Sequence, residues 1–302
     1  MNWSDHESFL IIYPHKEFNF DECLLFLGRS NQEVLHQIKG RNLYKLIKVD
    51  GTLVLFKIGY IKDSINVEFL NKIPSLVTRK KVAAYIWEWF DLDTNLGEFY
   101  KAVSKDKILK KITQDYYGLR IICIQDLFEA LIWAILGQQI NLTFAYTLKK
   151  RFVERFGEYL TFDEDTFWLF PTFEKISSLN VKDLRILQIT SRKAEYIIGL
   201  AKAMKNGELT KELLNQQQDD QQVQKLLMKH RGVGAWTTDY VMMKCLHNMA
   251  SLPIADVGLH NAIKHQLGLE RKPTIEEIEK LSSGWKGWQA YATFYLWRSL
   301  YD

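Results

Sequence analysis

Asp256 stands alone in "LPIADVGL", behind a proline and directly ahead of a helix-like run, and it is the carboxylate whose setting most suggests chemistry. Twenty residues earlier, "RGVGAWTTDYV" carries Trp236 and Tyr240, four residues apart, so a helix sets both rings on one face. Aspartate is favoured just before a helix, where its side chain accepts a backbone N–H. That structural role and a chemical one are compatible. An anionic group at a helix start that faces a pocket can stabilise a cationic sugar or orient an attacking water. Immediately upstream, Gly232, Val233 and Gly234 join two helix-like runs, "VQKLLMKH" and "AWTTDYVMMKCL". Glycine permits positive φ and leaves no Cβ in the way, so the N–H groups of such a hairpin can approach a phosphate oxygen. A contact of that kind anchors a nucleic-acid backbone without reading its sequence. Taken alone, Gly-Val-Gly reads first as an ordinary hairpin between helices with a glycine cap.

The elements that must position these groups change character along the chain. From Ser8 to about Leu70 the runs are short, rich in branched and aromatic residues and separated by turns, and "VDGT" is an Asp-Gly hairpin signal. "FDECLLFLGRS" reads as a short helix within this region, and "SLVTRKKVAAYIWEWFDL" as a longer one after it. Past about Leu92 the strand signal vanishes and amphipathic helical stretches follow one another to the C-terminus. In "DLFEALIWAILGQQI", Leu127, Leu131, Ala134 and Ile135 mark a core-facing helix. The expected fold class is α+β: an N-terminal β-rich unit over 1–115, then an all-α unit over 116–302 with a helix-hairpin-helix at about 223–247.

The totals set limits. At 302 residues, with 47% hydrophobic and 25% charged residues, the chain has the composition of a globular protein of two domains. A net charge of +4 permits a polyanionic partner without requiring one. Cys23, Cys123 and Cys245 lie too far apart for a zinc or iron–sulfur motif and read as small buried hydrophobes. The N-terminus lacks the features of a signal peptide and "ALIWAILG" is too short to span a bilayer, so a cytoplasmic protein is expected.

The order hairpin, aromatic helix, Pro-x-x-Asp loop, further helix resembles the helix-hairpin-helix superfamily of DNA glycosylases, and within it the 3-methyladenine DNA glycosylase II family. The resemblance covers about 120–302, through "ALIWAILGQQI", "TSRKAEYIIGLA", "LLMKHRGVGAWTTDYVMM", "LPIADVGL" and "GWKGWQAYATFYLWRSL". It extends more weakly to "YPHKEFNFDECLLFLGRS", the look of the opening of that family's β-rich domain, which is like half of a TATA-binding protein. The resemblance implies Asp256 as the catalytic aspartate, Trp236 and Tyr240 as walls of a base pocket, and Trp297 in "FYLW" as a third aromatic there. The neighbouring Trp285, Trp288, Tyr291, Phe294 and Tyr295 read as core. Gly232, Val233 and Gly234 would hold the DNA strand. Gln139 stands where superfamily members insert a wedge into the gap left by an extruded nucleotide; alternatively, Gln138 and Gln139 merely cap a buried helix. Lys149, Lys150 and Arg151 read as a solvated surface or as phosphate contacts.

Bifunctional members carry a lysine nucleophile directly after the second hairpin glycine or one residue later; this chain has Ala235 and Trp236 there. The resemblance therefore implies a monomeric, monofunctional hydrolase acting on damaged bases in double-stranded DNA. It implies no metal or iron–sulfur cofactor beyond a monovalent cation at the hairpin. Two rival readings stay open: a non-enzymatic protein that uses the hairpin only as a phosphate clamp, and a glycosylase-lyase for oxidised bases.

Overall fold

Short alternating segments near the N-terminus build a six-stranded antiparallel sheet in the computed structural model, which describes residues 1–301. The strands are β1 (Trp3–Asp5), β2 (Phe9–Ile12), β3 (His36–Lys39), β4 (Asn42–Val49), β5 (Thr52–Ile61) and β6 (Ser64–Phe69), in the order β1-β2-β6-β5-β4-β3. The expected Asp-Gly hairpin joins β4 to β5: Val49 pairs with Thr52, and Asp50 and Gly51 take φ of 48° and 77°. Both central residues need positive φ for a two-residue turn to follow the strand twist. Leu43, Ile47, Val54 and Ile58 of this hairpin face the core, where the helices Phe20–Leu27 and Leu76–Trp89 also bury their apolar sides. On the opposite face, Leu46 and Leu55 meet Phe167.

The remainder is helical, apart from one ribbon. Tyr159–Phe162 (β7) and Asp165–Trp168 (β8) pair antiparallel, where the sequence shows no strand signal that stands out. The turn residues explain the omission: Asp163 and Glu164 adopt φ of 46° and 68° without a glycine or asparagine to announce it. Side chains fasten the ribbon to the first sheet, with Gln37 Nε2 donating to the Thr166 carbonyl at 3.0 Å and Lys48 pairing with Glu158 at 2.6 Å.

Two large cores organise the chain. One unites the sheet and residues as far as Cys123 with the late helices Val257–Leu267, Ile275–Ser282 and Gln289–Arg298. The other is built by residues 127–245, chiefly from Leu127–Gly137, Leu142–Phe156, Ser191–Lys205 and Asp220–Met228. The helix Ala235–Lys244 serves both, giving Val241 and Met242 to the second core and Met243 to the first. Trp236 and Tyr240 therefore lie at a seam rather than within one packed unit. Among the described residues no helix is long and apolar enough to cross a membrane.

Candidate active site

Asp256 caps the helix Val257–Leu267, its Oδ1 accepting the Leu259 N–H at 2.7 Å. The Pro253 carbonyl accepts the Asp256 N–H at 2.8 Å and closes the turn that presents it. Two indoles complete the grip: Trp297 Nε1 donates to Oδ1 at 2.7 Å and Trp236 Nε1 donates to Oδ2 at 2.9 Å. A carboxylate has about four lone-pair sites. Three are occupied here, and the fourth, on Oδ2, is left for a water or a developing cation. Gly258 keeps this clasp possible, because a Cβ on it would stand 2.9 Å from Asp256 Oδ1 and 3.3 Å from the Trp297 ring. Sequence reasoning passed over Gly258, whose only signal is its place two residues after the aspartate.

Tyr240 links the clasp to a larger space. Its ring centroid lies 5.8 Å from that of Trp236 and 6.1 Å from that of Trp297, so the three aromatics expected together are together. Burial pushes the Tyr240 hydroxyl well up from its usual range, and it lies in hydrogen-bond reach of Trp133. Trp133 and Tyr146, 4.8 Å apart, continue the aromatic wall from two other helices. This wall opens onto a cavity of about 1180 Å³ between the helices and the sheet, where Arg29, Lys244 and Glu129 bring charge.

The hairpin is built as its glycines suggest. Gly232 has φ of +94°, and a Cβ there would overlap the Tyr196 ring at 2.3 Å, so both backbone and packing require glycine. Val233 is buried in the second core, while Gly234 begins the helix Ala235–Lys244 with no side-chain cap. The first N–H groups of that helix thus keep their polarity for an outside partner. Gln138 holds the hairpin from the neighbouring helix end, its Nε2 donating to the Gly232 carbonyl at 2.9 Å and to Thr237 Oγ1 at 3.0 Å. Gln139, next to it, is exposed and has a left-handed backbone with φ of 56°.

Within the basic run on Leu142–Phe156, Lys149 departs from the expectation of a solvated surface, while Lys150 and Arg151 keep to it. Lys149 is buried and pairs with Glu33 at 2.8 Å, because its position one turn from Tyr146 turns it inward. Lys150 pairs with Glu154 at 3.7 Å, and Arg151 Nη1 donates to Gln188 Oε1 at 2.5 Å. The three cysteines are free and buried. Asp91, Cys123 and His247 do converge, their polar atoms within 4.8 Å of one another. His247 Nε2 bonds Glu88 at 3.1 Å, and hydrogen bonds to Asp91, Cys123 and Glu88 raise the imidazole to about 12. These contacts tie the segment after the Trp236 helix to Leu76–Trp89 and the residues around it.

The chain has relatives in sequence and in fold. Residues 132–287 match the family model described as HhH-GPD superfamily base excision DNA repair protein, and the chain belongs to that superfamily. Residues 10–131 match the model for the N-terminal domain of 8-oxoguanine DNA glycosylase. Within the superfamily, the chain is 42% identical to the DNA-3-methyladenine glycosylase of Bacillus subtilis (strain 168), over 100% of both chains. It is 30% identical to DNA-3-methyladenine glycosylase 2 of Escherichia coli (strain K12), over 60% of each. The fold matches a solved 3-methyladenine DNA-glycosylase from Archaeoglobus fulgidus with a TM-score of 0.83 at 23% identity, covering 95% of this chain and 97% of that one. It also matches the Clostridium acetobutylicum 8-oxoguanine glycosylase/lyase in its apo-form, with a TM-score of 0.76 at 20% identity over 99% and 98%. The expected β-rich unit followed by a helical glycosylase unit is the architecture found.

Proposed function

We propose that this base excision protein is a monofunctional DNA glycosylase that extrudes alkylated purines and hydrolyses their N-glycosidic bond, with Asp256 as the catalytic carboxylate. The observation that carries this reading is the double indole clasp on Asp256 at the head of an aromatic wall. A base cannot be attacked inside the duplex, and unstacking it costs a few kcal/mol, least for damaged bases. An alkylated purine such as 3-methyladenine is cationic, and stacking on Trp236, Tyr240 or Trp297 adds cation–π attraction of roughly 0.5–2 kcal/mol. The charge also makes the base a good leaving group, so one carboxylate suffices where most sugar hydrolases need an acid and a base. Asp256 stabilises the oxocarbenium-like sugar and guides water to the anomeric carbon. The relatives named DNA-3-methyladenine glycosylase support the substrate class.

Around this centre, the uncapped N–H groups after Gly234 hold a phosphate of the strand, with Gly232 and Val233 shaping the hairpin. Gln139, exposed beside the Gln138 that holds the hairpin, fills the gap left by the extruded nucleotide. Strand cleavage is not part of the reaction, since Ala235 and Trp236 occupy the places of the nucleophilic lysine. Lys244 is lowered to about 7 by burial, but it sits eight residues beyond Trp236 and 4.6 Å over the Phe294 ring. At 1.5 Å per residue that is about 12 Å along the helix, too far to replace the missing nucleophile.

The test is incubation with methylated duplex DNA, scoring free bases, strand breaks before and after alkali, and trapping by borohydride. Released methylpurines with breaks only after alkali and no trapped adduct are expected. DNA binding with no released base contradicts the proposal in favour of a phosphate clamp, and a trapped adduct in favour of a lyase.

A further inference from the structure

A lysine with no task in the reaction just described grips the loop that carries Gln139. Lys193, in the first turn of the helix Ser191–Lys205, is half-buried, and its Nζ donates to the carbonyls of Leu136 at 2.7 Å and of Gln138 at 2.8 Å. Leu136 lies in the last turn of Leu127–Gly137, where carbonyls find no partner further along the helix and a positive charge is favoured. Among the described residues no carboxylate pairs with this ammonium, and burial lowers it from its usual range. The Gln138 carbonyl belongs to the peptide that leads into Gln139, so holding it fixes the start of the left-handed Gln139 backbone, with φ of 56°. A non-glycine residue in that region costs free energy and persists only where its surroundings hold it. The same helix also reaches the hairpin. One turn on from Lys193, the Tyr196 ring packs where a Cβ of Gly232 would stand, and Glu195 pairs with Arg231 at 3.0 Å. Gln138 closes the third side through the Gly232 carbonyl and Thr237. The Gln139 loop, the hairpin and the Ser191–Lys205 helix are thus fixed pairwise, and Lys193 supplies the side between its helix and the loop.

We propose that Lys193 is a positioning residue that latches the Gln139 loop against the hairpin, so that the glutamine is already aimed at the gap when the damaged nucleotide leaves the stack. This deepens the base-excision reading and rests on it, and in particular on Gln139 as the wedge. In this role Lys193 touches neither base nor sugar. It acts on extrusion, the step before bond breaking, and leaves hydrolysis at Asp256 alone. The need for a held wedge grows with the cost of unstacking, which is greatest for a paired base and least for one already unpaired. A loosened loop would have to be ordered during extrusion itself, and that ordering adds to the cost of the same step.

The experiment measures single-turnover release of 7-methylguanine, either paired with cytosine or unpaired in a bulge of the same duplex. It compares wild type, Lys193→Met, Lys193→Arg, Gln139→Ala and the double variant Lys193→Met/Gln139→Ala, with a thermal melt as the check on folding. The expected result for Lys193→Met is a fall of roughly tenfold in the paired-to-bulged ratio of rates, the scale of losing hydrogen bonds from a charged donor. Gln139→Ala lowers the same ratio, and the double variant lowers it no further, because the two residues act as one unit. Lys193→Arg keeps charged donors for the two carbonyls and restores most of the ratio. Equal losses on both substrates overturn the proposal, as does a double variant whose losses add. If binding to undamaged duplex weakens with a shallower salt dependence, Lys193 holds a phosphate instead and the latch is refuted. A Gln139→Ala ratio equal to wild type removes wedge and latch together but leaves the chemistry at Asp256 standing. A wild type that releases no methylpurine from either duplex removes the proposed function, and the latch with it.

Discussion

The two flanks of the candidate site are held in different ways. On the hairpin flank, Asp256 is fixed by the backbone N–H three residues on and by an indole twenty residues back, and Gly232 by the ring of Tyr196. On the cavity flank, Lys149 meets Glu33 across 116 residues of sequence, and Lys45, inward-facing on β4, donates to the Leu35 carbonyl at 2.9 Å. Burial alone would raise the Glu33 carboxyl, but the charges of Lys149 and His36 hold it well below the usual carboxylate range. Burial lowers His36 to about 4 and raises Glu129. The hairpin flank is thus a local construction suited to presenting one carboxylate. The cavity flank is a buried ion cluster that joins sheet to helices, and its stability depends on every member.

That contrast is broken or sharpened by substitution on each flank. The largest effect is expected from Lys149→Met, which leaves the buried Glu33 without its partner and destabilises the fold by about 3–5 kcal/mol in denaturant unfolding. The double variant Lys149→Met/Glu33→Leu recovers most of that loss, since two apolar side chains leave no charge to solvate. A single variant as stable as wild type would show that the cluster is not a joint. On the hairpin flank, Trp297→Phe removes one N–H from Asp256 while keeping the ring. A hydrogen bond to a charged group contributes about 1.5–3 kcal/mol. Base release should therefore slow by roughly 10- to 100-fold, with a melting temperature close to wild type; equal rates would detach Trp297 from the chemistry.

The smallest effect concerns Asp239, on the same helix as Trp236. Burial raises it to about 6, with Gln224 partly opposing. Its ordinary value is 3.8, so between about pH 4 and 6 the folded state binds more protons than the unfolded one, and this group's contribution to stability falls as pH rises through that window. Asp239→Asn should then be more stable than wild type at pH 7 by a fraction of the Lys149 effect. Below about pH 4 the two should match, and a constant offset at every pH would assign the gain to something other than charge.

The same contrast decides what the sequence reveals. Asp256 as an N-cap, the Asp50-Gly51 turn and the capping box of Thr274 with Glu277 all rest on contacts within a few residues, and each is legible from residue type and spacing. The hairpin glycines are legible from their spacing, although what demands glycine at Gly232 is partly the ring of the distant Tyr196. Trp297 is intermediate: a chain-end aromatic is easy to nominate, but its bond to Asp256 spans 41 residues and depends on how two helices cross. Lys149 was misjudged because a lysine beside Lys150 and Arg151 reads as surface, and nothing near it announces Glu33. Trp133, Tyr146 and Arg29 come from three separate elements and become a wall only when the sheet docks. Of the paired glutamines, local reasoning could not divide the roles; Gln138 bonds the hairpin and Gln139 faces outward.

The central claim is that the clasped carboxylate performs the chemistry, and the most direct measurement is single-turnover base release by Asp256→Asn from methylated duplex DNA. Asparagine retains an oxygen for the Leu259 N–H, so the cap and the fold survive while the charge is lost. With DNA binding matched to wild type, release is predicted to fall by about 100- to 1000-fold, the scale set by losing one transition-state electrostatic partner. Release by Asp256→Asn at the wild-type rate would contradict the account and move the catalytic group elsewhere in the seam.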